Sequence, residues 1–234
     1  MSIILIALMF SFGFFVESIF GLGGTLVAFA ILGFFTDIKD LIIVGLYIAT
    51  IASIFIISSD YKSFNKKIFI NSLPFCLVGT ILGVLLFVNI SSDVLLKLFG
   101  AFLIILSLKT FLFDGVKYPN FLVKKILLIG GFCHGTFGIG GPFIASVLRN
   151  KFSNKSQTRA TMAAFFIVLN IIRYFQLEIG GDFDHELFFA FWWMPIPLAI
   201  AIYLGHKVHV KISEKIFKNA VSTVTLVSGI GFFF

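Results

Sequence analysis

Apolar stretches of about 20 residues, divided by short charged connectors, constrain this chain more than any other feature. A segment of that length crosses a bilayer as a helix. Hydrocarbon offers no partner to a free backbone N–H or C=O, so helices and closed barrels are the only spanning structures. Six stretches have span length: Asp40 to Ser58, Ile68 to Val88, Val94 to Phe113, Ala160 to Ile179, Leu187 to Leu204 and Ile216 to Phe234. With 59% hydrophobic residues, 12% charged and 33 phenylalanines, the chain is far more apolar than a soluble domain. It reads as an all-α polytopic membrane protein. That excludes a soluble enzyme, a nucleic-acid binder, a disordered tail and a secreted scaffold. The formal charge of +7, from 18 Lys and Arg against 11 Asp and Glu, sits in connectors, where it sets topology rather than binding nucleic acid. Cys76 and Cys133 both lie in apolar stretches and give no disulfide framework. The first ten residues, MSIILIALMF, lack a basic region before the apolar run and read as retained structure rather than a removed signal.

Two further apolar stretches, Ser2 to Phe35 and Ile126 to Arg149, are interrupted by FGLGGT at Phe20 to Thr25 and FGIGGP at Phe137 to Pro142. Glycine clusters disfavour a continuous helix, and Pro142 favours a fresh helix start. A shift of 117 residues places Gly13, Phe15, Phe20, Gly21, Gly23 and Gly24 on Gly130, Phe132, Phe137, Gly138, Gly140 and Gly141. A weaker match at a shift of 122 places Gly83 on Gly205. One transmembrane domain over 1–234 is therefore expected to contain two repeats, about 1–115 and 120–234.

Charge sharpens the topology. If every apolar segment crosses once, Lys and Arg divide 8 against 10 between the faces, against the positive-inside rule. If the second glycine-rich segment enters and leaves on one face as two half-helices, 15 of the 18 fall on that face and only Lys39, Lys97 and Arg173 remain opposite. Treating the first segment identically gives each half one re-entrant hairpin plus three transmembrane helices. That is an odd number of crossings, so the halves are inverted, as in many secondary transporters.

A broken helix at membrane depth must line a cavity or be buried in protein. Its restart presents unpaired N–H groups and a partial positive charge, which suit an anion. Gly21, Gly23, Gly24, Gly138, Gly140 and Gly141 are therefore candidate binding positions, with Thr25 and Thr136 as hydroxyl donors. Close helix packing would use the same glycines. Arg173, with Asn170 one helical turn before it, lies inside a span, where a guanidinium suits a sulfonate, carboxylate or phosphate; snorkelling or pairing with Glu178 or Asp182 is the alternative. Arg159 begins the same span, as substrate ligand or as interfacial anchor. Glu17 and His134 precede the two glycine triplets at matching positions and are candidates for proton coupling, or for structural pairing. His206 and His209 are spaced like metal ligands but lie among Lys207 and Lys211, so no metal site and no cofactor is expected. No HExxH, GxSxG or P-loop appears, and no enzyme activity is expected.

The paired motifs ESIFGLGGT and HGTFGIGGP, with TRATMAAFF at Thr158 to Phe166 and NIIRYFQLEIGG at Asn170 to Gly181, resemble the sulfite exporter TauE/SafE family, also called TSUP, over the whole chain. The resemblance implies a multi-pass inner-membrane transporter for sulfur-containing anions such as sulfite, thiosulfate, sulfoacetate or other organosulfonates. Its partners would be that anion and membrane lipid, with homodimerisation left open. Two departures bear on substrate: Thr25 stands opposite Pro142, and Glu17 opposite His134. The reading is an alternating-access transporter, with a gated anion channel or a carboxylate transporter as alternatives.

Overall fold

A computed structural model describes residues 3–20, 23–113, 118–148, 151–208 and 214–234. Among them there are eleven α-helices, one 3₁₀ turn at Tyr61–Ser63 and no strand. The first half holds α1 (Ile3–Phe20), α2 (Gly24–Leu32), α3 (Ile38–Asp60), α4 (Lys66–Asn89) and α5 (Ser92–Phe113). The second holds α6 (Asn120–Phe137), α7 (Gly141–Leu148), α8 (Lys155–Gly180), α9 (His185–Ala190), α10 (Pro195–Lys207) and α11 (Glu214–Gly231). Four helical stretches, Ile38–Ser63, Lys66–Asn89, Ser92–Leu112 and Ser156–Gly180, are long and apolar enough to cross a membrane.

Both glycine-rich segments break as the sequence predicts. Gly24 packs against Gly13 and Gly140 against Gly130, backbone to backbone, so α1–α2 and α6–α7 fold back as hairpins. A Cβ on Gly24 would stand 2.7 Å from the Gly13 carbonyl carbon, closer than packing permits. The hairpin arms are unequal. The first arms have 18 residues each and the second arms 9 and 8, so each hairpin pairs a nearly span-length helix with a half-helix.

The expected span Leu187 to Leu204 is corrected by the structure: it is not one helix. Asp184 caps the short α9 by accepting from the Leu187 N–H at 2.9 Å, the chain turns through Phe191–Met194, and α10 restarts with Pro195 in its first turn. Pro195 has no N–H to continue the ladder from α9, and its ring would clash with the carbonyl one turn back.

Contacts between the halves follow an exchange pattern. α1 packs on α10 as α6 packs on α4, α3 packs on α8, and α5 on α11. Gly205 of α10 abuts Phe15 and Ser18 of α1, while Gly83 of α4 abuts Phe132 and Gly135 of α6. These partners are themselves related by 117 residues (15 + 117 = 132; 18 + 117 = 135). Polar side chains tie the helix ends together. Asp60 of α3, Arg159 of α8 and His206 of α10 meet at one end. Asp37 before α3 and Ser92 of α5 meet at the other, joined by a 2.9 Å hydrogen bond.

Phenylalanine rings tie the two hairpins through α5. Phe29 of α2 lies 6.2 Å from Phe99, Phe99 lies 5.4 Å from Phe137 of α6, and Phe102 lies 6.1 Å from Phe143 of α7. Such aromatic pairs add about 0.5–1.5 kcal/mol each beyond area burial.

The α4–α6 seam is the tightest in the molecule. Gly79 and Gly83 of α4 meet the backbone of α6, and Gly131 and Gly135 of α6 meet that of α4. A Cβ on Gly131 would stand 2.8 Å from the Cys76 Cα, with no side chain free to yield. Gly131→Val is therefore expected to cost about 3 kcal/mol, read as a lowered thermal midpoint in detergent; an unchanged midpoint would show that the seam opens freely.

Candidate functional site

The two helix breaks face one another across a cavity of about 40 Å³, room for a few waters or a small ion. The first hairpin contributes Phe14, Glu17, Gly23, Thr25 and Leu26 to its wall, and the second His134, Gly138, Ile139, Gly141 and Pro142. Ala49 and Ser53 of α3 and Phe166 of α8 complete it. Residues more than 100 positions apart meet here because the first hairpin's long arm packs on α3 and the second's on α8, and α3 packs on α8.

On the first side, Glu17 is buried and its Oε2 accepts from the Gly24 N–H at 2.8 Å. The first N–H groups of a helix have no intrahelical partner and carry its positive end, so this carboxylate satisfies α2 seven residues ahead in the chain. Gly23 precedes it at φ +108°, a left-handed turn that suits glycine.

On the second side the polar groups form a connected set. His134 Nε2 donates to Asn170 Oδ1 at 3.0 Å, and its ring stacks on Phe166 with centroids 5.6 Å apart. Arg173 is 1% exposed, and its guanidinium rests against Gly138: a Cβ there would lie 3.3 Å from a terminal nitrogen. His134 Nδ1, Asn170 Nδ2 and Arg173 Nε are buried without a hydrogen-bond partner among the described residues. Buried polar atoms left so cost roughly 1–3 kcal/mol each; here three gather beside the wall of one cavity.

The structure thus brings Glu17, Gly23, Gly24, Thr25, His134, Gly138, Gly140, Gly141, Asn170 and Arg173 to one region, with Asn170 and Arg173 behind the wall that His134 and Gly138 form. Thr136 lies elsewhere. Its hydroxyl donates to the Gly83 and Phe132 carbonyls at 3.1 and 3.0 Å in the α4–α6 seam. Gly21 lies outside the described residues, as does His209. Arg159 is one step away, in a smaller adjoining cavity with Glu17, Ser53, Ile56, Met162, Ala163 and Phe166. Its Nε pairs with Asp60 Oδ2 at 3.4 Å, and a terminal nitrogen donates to His206 Nδ1 at 3.2 Å. Among the described residues no cluster of three His, Cys, Asp or Glu forms a metal site.

Sequence reasoning missed Ser53, Asp60 and Phe166. Ser53 was reachable: the repeat shift carried back from Asn170 lands on it (170 − 117 = 53), and the same step from Arg173 lands on Ile56. Polar side chains at this depth thus occur on both sides, but the permanent cation belongs to the second half alone.

A membrane bundle whose two glycine breaks share a cavity fits the family model that matches residues 5–232, sulfite exporter TauE/SafE. This chain belongs to the TauE/SafE family. TauE/SafE proteins are membrane transporters, not enzymes, so the chain is a multi-pass membrane transporter whose family moves sulfur-containing anions. No curated protein and no solved structure matches this TauE/SafE chain.

Gly138 and Gly181 both hold left-handed backbone, at φ +74° and +75°. Only Gly138 also faces Arg173; nothing stands within 4 Å of a Cβ on Gly181. Alanine at either is expected to cost about 1–2 kcal/mol of backbone strain, with a larger fall in thermal midpoint at Gly138. Equal losses would show that Gly138 serves the backbone and not the Arg173 guanidinium.

Proposed function

We propose that this TauE/SafE chain is a secondary transporter that moves a small sulfur oxyanion or sulfonate across the inner membrane by alternating access, through the cavity between the two helix breaks. The observation that carries the reading is the shared cavity itself: both duplicated motifs wall it, and a fully buried arginine with an unpartnered Nε stands against its Gly138 wall. An intramembrane guanidinium is expensive unless it serves a partner or a pathway. No carboxylate is paired with Arg173 among the described residues, and a transient anion supplies the missing charge.

Pocket roles follow from position. The start of α7 at Gly141 offers backbone N–H and the positive end of a helix dipole, Gly138 and Gly140 leave room for close approach, and Thr25 and Ser53 present hydroxyls. Arg173 and Asn170 act from behind, where low dielectric strengthens the field of a buried charge. Arg159, held by Asp60 and His206, closes the path from the adjoining cavity to the Asp60 end of the bundle. Glu17 and His134 are the groups placed to couple protons.

The two halves, about 1–115 and 120–234, form inverted repeats in this reading. The exchange of helix contacts between them supports it, as do the Gly83 and Gly205 contacts related by the repeat. By the positive-inside rule, the end holding Asp60, Arg159 and His206 faces the cytoplasm.

Sulfite, thiosulfate and sulfoacetate are the anions to test against acetate, by thermal stabilisation of purified protein. At least one sulfur anion is expected to raise the midpoint where acetate does not. Arg173→Gln is expected to weaken that anion by at least about tenfold, about 1.4 kcal/mol. Unchanged affinity would remove Arg173 from the pocket, and equal stabilisation by acetate would favour a carboxylate transporter.

A further inference from the structure

Glu17 does something in this structure that an anion pocket makes conspicuous. Its carboxylate accepts from the Gly24 N–H at 2.8 Å, at the start of α2, which is the position that a bound anion would take at that helix. The matching position in the second half is His134, whose Nδ1 is buried, unpartnered and part of the same cavity wall. One helix start is thus filled by the protein's own anion, and the facing side carries a group without a partner. Resting on the pocket reading above, we infer that Glu17 is a tethered competitor: the substrate anion takes the Gly24 N–H from it, and Glu17 takes up a proton as it leaves.

Charge balance gives the reason. Two anions cannot share one N–H at low dielectric, because like charges at close range disfavour each other. A proton from solution binds Glu17 Oε2, the hydrogen bond from Gly24 breaks, and Gly24 donates instead to a substrate oxygen. For a monoanion such as a sulfonate the net charge at the start of α2 is unchanged, and one proton accompanies each anion into the site. Glu17 has an exit route for that proton, since it also walls the smaller cavity that reaches Arg159.

The charged and titratable groups that face this region from the neighbouring elements are His134 of α6, Asp60 at the end of α3, Arg159 of α8 with Arg173 of the same helix behind Gly138, and His206 of α10. Of these, His134 shares the larger cavity and Arg159 the smaller. Arg159 is engaged by Asp60 and His206 and shares the smaller cavity with Glu17. A carboxylate that merely capped α2 would stabilise the hairpin and leave anion binding independent of proton uptake.

The test uses thiosulfate and methanesulfonate, neither of which changes charge between about pH 5 and about pH 8, a window that also spans the histidine range. Binding to the full chain in detergent is measured by calorimetry, with proton uptake read from a dye in weak buffer. In the wild type, about one proton is expected per anion bound, with affinity tightening by up to about tenfold per pH unit as pH falls. Glu17→Gln retains the shape and an acceptor for Gly24 but no titratable group; it is expected to bind without proton uptake and without that slope. His134→Gln is expected to keep the slope. A Glu17→Gln variant with the wild-type slope overturns the inference, as does binding to the wild type without proton uptake, a result that needs no variant to fold. If neither anion binds either protein at any pH, the pocket reading fails and this inference with it.

Discussion

Broken helices at membrane depth are what the rest of this structure answers to. Where α1 ends and α2 begins, and again between α6 and α7, backbone N–H and C=O groups lose their ladder partners in surroundings where hydrocarbon offers none. The chain meets this locally and by packing. Glu17 satisfies Gly24, the Gly138 N–H returns to the His134 carbonyl at 2.8 Å, and each half-helix is drawn against its own long arm by glycines that let backbones touch. The phenylalanine series through α5 then fixes the two hairpins relative to each other. With both breaks held between α3 and α8, a small cavity holding a few polar groups in the middle of an apolar bundle is the geometric result.

That cavity has unlike sides, and the difference follows from a few substitutions between repeats. Glu17 against His134, Ser53 against Asn170 and Ile56 against Arg173 put an acidic group on one side and the permanent cation on the other. A symmetric pair of helix starts would attract an anion equally from both sides. Here the first is occupied by a carboxylate and the second is backed by a guanidinium, so the second side is where an incoming anion finds uncompensated positive charge.

Much of this was legible in the sequence, and what was not has physical reasons. The breaks announced themselves because a glycine triplet repeated at a fixed shift is rare even in apolar sequence, and Arg173 stood out because a charge inside a span is costly. Glu17 was legible as an ionisable group but not as the cap of α2: that contact exists only because the chain reverses, which no periodicity records. Thr136 read as a free donor, yet its hydroxyl serves the α4–α6 seam, a pairing fixed by the register of two helices. Asp60, Arg159 and His206 meet through tertiary packing of three helix ends. The break at Pro195 was written in the sequence, but the apolarity of Leu187 to Leu204 outweighed the missing N–H in a reading based on span length.

The account's central claim is that a sulfur oxyanion binds between the two helix breaks, drawn in by Arg173 behind Gly138 and within reach of both helix starts. Selenite, a heavier analogue of sulfite, makes this directly visible in crystals of the protein through anomalous scattering at the selenium edge. The account predicts an anomalous peak in the cavity walled by Glu17, His134 and Gly138, within hydrogen-bond reach of the start of α7. Peaks confined to the lysine-rich connectors, with the cavity empty at saturating selenite, would contradict it.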